Sequence, residues 1–169
     1  VGGIVVQAQS TNQTQYIYDY ADVLTVEEEE ELEDYASTLS EERNTAFIII
    51  TVNGTDGRSI EQYRDDFYKE QAPGYDKPRG NTAMLIIDLQ ERDVNLSGFE
   101  LAEEYLDYGR LETIRENITP DLTDGYYYSA FSSFLSEAHE YMGYAPGEFN
   151  PNSFFFQWWF QLAVSLFVA

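Results

Sequence analysis

The residues of this chain best suited to chemistry are oxygen-bearing side chains placed where elements begin or end. Asp19 and Asp22 stand just before a helical pattern, Asn81 before an apolar run and Asp88 near the end of that run. Asp107 lies within a later helical pattern, and Asp121 and Asp124 come just before the last one. Oxygen ligands drawn from separate loops suit calcium, which takes about six to eight of them in flexible geometry. Asp22, Asp121 and Asp124 are equally suited to capping helices, and spacing does not decide between the two roles.

Other chemistries lack their residues. His139 is the only histidine; it lies beside acidic residues on a late helical pattern and reads as a surface side chain, so a Ser-His-Asp triad is not expected. There is no cysteine nucleophile and no G-x-S-x-G, and neither a P-loop nor a G-x-G-x-x-G follows a strand pattern. Asn53-Gly54-Thr55-Asp56-Gly57 has part of the spacing of a calcium loop. The first and twelfth loop positions would be Val52 and Tyr63, which supply no carboxylate, so the stretch reads as a turn.

Thirty-one Asp and Glu against nine Lys and Arg give a net charge of −22. That surplus repels nucleic-acid phosphates and anionic headgroups, so no nucleic-acid partner is expected. Where carboxylates converge, the same surplus favours entry of a cation; most of these acids are expected on solvated helix faces instead. The 169 residues, 43% hydrophobic, suffice for one core, and one globular domain with tails is the expectation. Aromatic residues at 16% indicate an ordered core rather than an acidic disordered tail.

The elements that must position the candidate residues follow from periodicity. Thr25 with Glu28 forms a capping box, and Leu32, Tyr35, Ala36 and Leu39 recur at helical spacing, predicting a helix over 26–42. Residues 46–52 and 83–89 are short continuous apolar runs, as expected of central strands covered on both sides. Ser59 with Gln62 starts a second helix, and 94–97 can return beside 83–89 as a hairpin strand. Helical patterns follow at 100–117 and 125–142. Alternating strands and helices predict a largely parallel sheet between helix layers, with ligands beyond the carboxyl ends of the strands. No internal repeat is present.

Both ends carry a further expectation. Val6-Gln7-Ala8 has the small residues of a signal-peptidase site, so 1–8 reads as the end of a signal peptide, or else as an apolar stretch with no targeting role. Residues 9–15 form a polar linker, and 143–153, with two Pro, two Gly and two Asn, form another. Residues 154–169 are uncharged and rich in Phe and Trp. They read as the start of a transmembrane helix, tethering an extracytoplasmic domain to a cell membrane, or else as a buried C-terminal helix.

Five stretches, in order, carry a resemblance. Tyr18-Asp19-Tyr20-Ala21-Asp22-Val23-Leu24-Thr25 resembles the opening of the TPM domain, a family of thylakoid-lumen, photosystem II repair and bacterial membrane-associated proteins. Residues 59–63, 80–87, 105–107 and 122–127 resemble its later motifs, so the resemblance covers about 16–142. It implies a three-layer α/β/α Rossmann-like sandwich with a mainly parallel central sheet, export, and binding of a divalent cation, calcium first, with magnesium as the other candidate. Asp19, Asn81, Asp107 and Asp124 would be the ligands and should then converge at one edge of the sheet. Thr82 replaces the usual Gly after Asn81, and Asp107 lacks the glycine-rich lead-in of the family. The implied role is a cation-binding scaffold or an assembly and repair factor for membrane proteins; the alternatives are a metal-dependent acid phosphatase, with Asp19 attacking or activating water, and an acidic structural domain without an ion site.

Overall fold

A computed structural model describes residues 2–3 and 14–148. Along the chain run β1 (Ile17–Asp19), α1 (Val26–Arg43), β2 (Ala46–Val52), α2 (Ile60–Gln71), β3 (Thr82–Asp88), β4 (Asp93–Phe99), α3 (Leu101–Tyr105), α4 (Tyr108–Asp124) and α5 (Tyr127–Tyr141). β2 and β3 are buried at every position, which explains the apolar runs 46–50 and 83–87 within them: a strand with helices on both faces has no polar side. They pair in parallel, from Ala46 opposite Thr82 to Val52 opposite Asp88. β1 joins β2 in parallel and β4 returns antiparallel beside β3, giving the order β1-β2-β3-β4.

Helices cover both faces. On one, α2 places Phe67 edge-on to Tyr18 at 5.0 Å and stacks Tyr68 on Phe99 at 3.8 Å. On the other, α5 sets His139 beside Phe47, and α3 lies on Gly98, where a Cβ would come within 2.3 Å of the Ala102 carbonyl oxygen. α1 and α4 pack on α5, with α1 also against β1 and β2 and α4 against β4. The expected α/β/α sandwich with a mainly parallel sheet is therefore the fold observed.

Local signals explain most boundaries. At the start of α1 the Thr25 hydroxyl accepts the Glu28 N–H at 3.1 Å, and the Glu28 carboxylate accepts the Thr25 N–H at 2.9 Å, a cap of about 1 kcal/mol. The region expected as a helix over 100–117 is instead divided at Leu106. Extended backbone at Asp107 starts α4 anew, its side chain accepting the Arg110 N–H, and α4 then runs past Pro120 to Asp124. His139, expected at the surface, is partly buried and meets Glu42 at 2.7 Å.

The expected membrane tether is corrected. No helix among the described residues is long and apolar enough to cross a membrane, since those that pack the sheet carry charged outer faces. Residues 154–169, where the span was expected, lie outside the described residues, as does nearly all of the expected leader at 1–8. A membrane partner reached through a C-terminal helix, and the anchored location expected from it, are therefore not supported.

Candidate functional site

Three parallel strands end on the same side of the sheet, and two of them end in aspartate. Asp19 closes β1. Its Oδ1 accepts the Thr51 hydroxyl at 2.6 Å and the Val23 N–H at 3.2 Å, and its Oδ2 accepts the Leu24 N–H at 2.9 Å. Thr51 Oγ1 in turn accepts the Ala21 N–H at 3.1 Å. The turn that brings these N–H groups round uses Asp22 at φ 54°, a left-handed position that Asp tolerates better than most residues. Asp19 thus holds the β1–α1 turn against β2.

Asp88 closes β3 and is 2% exposed. Its Oδ1 accepts the Gly54 N–H and the Gln90 N–H, each at 2.9 Å, and the Glu91 N–H at 3.5 Å. One carboxylate oxygen therefore ties the β2–α2 loop to the β3–β4 turn. Gly54, at φ 101°, is where those two loops touch: a Cβ there would sit 2.8 Å from Gln90 Oε1.

Between the two loops opens a cleft of about 670 Å³, lined by Asp56, Glu61, Glu91 and Asp93 together with the buried Asp88. Arg58 is the cation lining it. Its guanidinium is held by Asp66 at 3.0 Å and lies 4.9 Å over the Tyr63 ring, and it draws the Asp66 carboxyl below its usual range. The cleft is thus strongly acidic and lies beyond the carboxyl ends of the strands, where α/β sheets collect ligands. Carboxylate oxygens fit a hard cation such as calcium. Among the described residues, however, no three acidic or histidine side chains lie close enough together to hold one ion. The cleft offers dispersed oxygens with room for water rather than a ready-made cage.

The four residues expected to share an ion do not meet. Asp19 is at the carboxyl end of the sheet and Asn81 at the other end, one residue before β3, roughly 20 Å away at the rise of a strand. Asn81 Nδ2 donates to the Asn44 carbonyl at 2.9 Å and to Thr45 Oγ1 at 2.8 Å, and its Oδ1 accepts the Ala102 N–H at 2.7 Å, which makes it a three-way tie between loops. Asp107 and Asp124 stand at opposite ends of α4, about 25 Å apart for a helix of that length. Asp107 is its N-cap and Asp124 its exposed last residue. Shared position at element ends is common to all four, but the ends belong to different sides of the domain. Asp56, Glu61, Glu91 and Asp93 were not among the expected ligands. The available signal was Asp88, an acid finishing an otherwise apolar strand.

The family profile of the TPM domain matches residues 17–141, most of the chain. This chain belongs to the TPM domain family. The chain is similar to UPF0603 protein YdjH of Bacillus subtilis (strain 168), 40% identical over 155 residues, an alignment covering 92% of this chain and 58% of that relative. The chain thus spans under two thirds of the relative's length. Three NMR structures are similar to this chain in fold. The N-terminal domain of a P. gingivalis protein has TM-score 0.62 at 17% identity, over 78% of this chain and 84% of its own. The N-terminal domain of cg2496 from Corynebacterium glutamicum has TM-score 0.60 at 8% identity, over 90% and 97%. The BA42 protein from Bizionia argentinensis has TM-score 0.58 at 17% identity, over 74% and 86%. At those identities the likeness bears on the fold alone.

Proposed function

We propose that this TPM domain is a binding module rather than an enzyme, collecting a divalent cation, calcium foremost, in the acidic cleft at the strand carboxyl ends and acting as a scaffold or assembly factor. The observation that carries this reading is the set of five acidic residues lining one cleft whose lining cation, Arg58, is engaged by Asp66. Dispersed carboxylates with water between them suit the weak end of calcium binding, on the order of 0.1–1 mM. Turnover of a phosphate ester fits less well, because a developing negative charge needs a donor or cation directed at it. Arg58 is spent on Asp66, and Arg79 donates to the Lys69 carbonyl.

Thermal melting with added calcium tests the reading. At about 10 mM calcium and a Kd near 1 mM, stability rises by about 1.4 kcal/mol, a shift of a few degrees in Tm. The double variant Asp56→Asn with Glu91→Gln, altering two exposed cleft residues, should lose most of that shift and keep its calcium-free Tm. No shift in the wild type, or an equal shift in the double variant, removes the cation from this cleft.

A further inference from the structure

The sheet has two outer edges, and they are treated differently. At β1 the outward groups are occupied: the Ile17 N–H donates to Glu33 Oε2 at 2.8 Å, and the Ile17 carbonyl accepts Gln15 Nε2 at 2.8 Å. At β4 the outward groups can be identified from the ladders. Ala46 N–H donates to Asn81 O and Leu89 N–H to Val52 O, so odd-numbered β3 residues face β2 and even-numbered ones face β4. Met84 with Ser97 and Ile86 with Asn95 are then the hydrogen-bonded pairs, and Val94, Leu96 and Gly98 turn their N–H and C=O outward. Val94 is satisfied, its N–H by Asp93 Oδ1 at 2.9 Å and its carbonyl by Arg115 Nη1 at 2.9 Å. Among the described residues, Leu96 and Gly98 find no such partner on that side.

A second observation falls on the same strand. A groove of about 410 Å³ runs along this open stretch, with Leu96, Gly98 and Phe99 beneath it, Arg64 of α2 on one flank and Leu106 and Leu111 on the other. Asn95, 8% exposed, has its Oδ1 without a hydrogen-bond partner, and the neighbouring Ser97 Oγ is likewise buried and unpartnered. Exposed edges are ordinarily blunted, as at β1 and Val94, because an open row of backbone groups templates another strand.

We propose that the outer edge of β4 at Leu96 and Gly98 receives an extended peptide of apolar residues flanked by basic ones, which adds to the sheet as one more strand. Backbone groups of the peptide would meet those of Leu96 and Gly98, and its alternate side chains would lie against Leu106 and Leu111. Charge selects a basic segment: Arg64 is paired with Asp65 at 2.9 Å, Glu103 leaves the groove acidic, and the chain carries −22. The same charge opposes a second copy, since two chains of −22 would have to meet edge to edge. This site lies apart from the acidic cleft and does not rest on cation binding there.

The test uses the whole chain labelled with 15N and a blocked peptide, Lys-Val-Thr-Val-Thr-Val-Lys, at up to about 1 mM. Chemical-shift changes should centre on the amides of residues 96–99, and the Leu96 and Gly98 amides should gain protection from hydrogen exchange. A peptide of the same sequence with alternate amides N-methylated keeps its charge and loses its edge-facing donors; it should bind at least about tenfold more weakly. Glu103→Lys should weaken the unmodified peptide by about threefold. Equal binding of the N-methylated peptide, changes centred on 53–61 and 88–93 instead, or no binding at all would each overturn the proposal. So would protection of Leu96 and Gly98 in a peptide-free dimer detected by sedimentation.

Discussion

The Asp88 carboxylate accepts the Gly54 N–H at 2.9 Å, joining the end of β3 to a loop that begins after β2. The same oxygen holds Gln90, so two loops that would otherwise move independently share one buried acceptor. Replacing Asp88 by Ala should cost on the order of 1–3 kcal/mol, because the part-buried N–H groups of Gly54 and Gln90 lose the acceptor that joins their loops. Asp88→Asn keeps an acceptor and should cost less than half as much. Urea denaturation checks both; a near-neutral Asp88→Ala would show that the loops hold together without it.

How far such a tie is legible in sequence depends on distance along the chain. The capping box at Thr25, the hairpin after β3 and the two buried central strands use residues a few positions apart, so their patterns are visible directly. β1 is only three residues long and carries no periodicity to read. Asn81 and Asp19 show the opposite limit. Each is polar and stands beside a strand, which is what a ligand would look like, yet the partners that consume them, Ala102 and Thr51, lie 21 and 32 positions away. Composition marks a residue as able to accept hydrogen bonds, but only the packed chain decides which group it serves.

Glu33 gives a dependence on pH. Its carboxylate accepts the N–H groups of Tyr16 and Ile17, each at 2.8 Å, while burial, the larger effect, pushes its pKa above the ordinary glutamate value. A raised folded-state pKa means that the native state holds this proton more tightly than the unfolded chain. Its contribution to stability is therefore full below the unfolded value and is lost as pH rises through the folded one. Glu33→Gln has no such proton, so the advantage of the wild type over this variant should grow as pH is lowered from 7 to 5. Denaturant midpoints of both proteins at the two pH values measure it. A shrinking advantage would mean that the two N–H donors outweigh burial.

Asn81→Asp separates two roles that the same residue could have played. As a ligand, Asn81 would gain charge on this change, and calcium would bind more tightly. As the tie described above, it keeps Oδ1 for the Ala102 N–H but turns a donor into a carboxylate oxygen facing the Asn44 carbonyl and Thr45 Oγ1. Two acceptors then oppose each other, and the partly buried position limits the water available to separate them. The expected result is a loss on the order of 2 kcal/mol in chemical denaturation, with the calcium-induced shift in Tm equal to that of the wild type. An unchanged stability together with a larger calcium shift would return Asn81 to the ligand set and place the ion at the opposite end of the sheet from the acidic cleft.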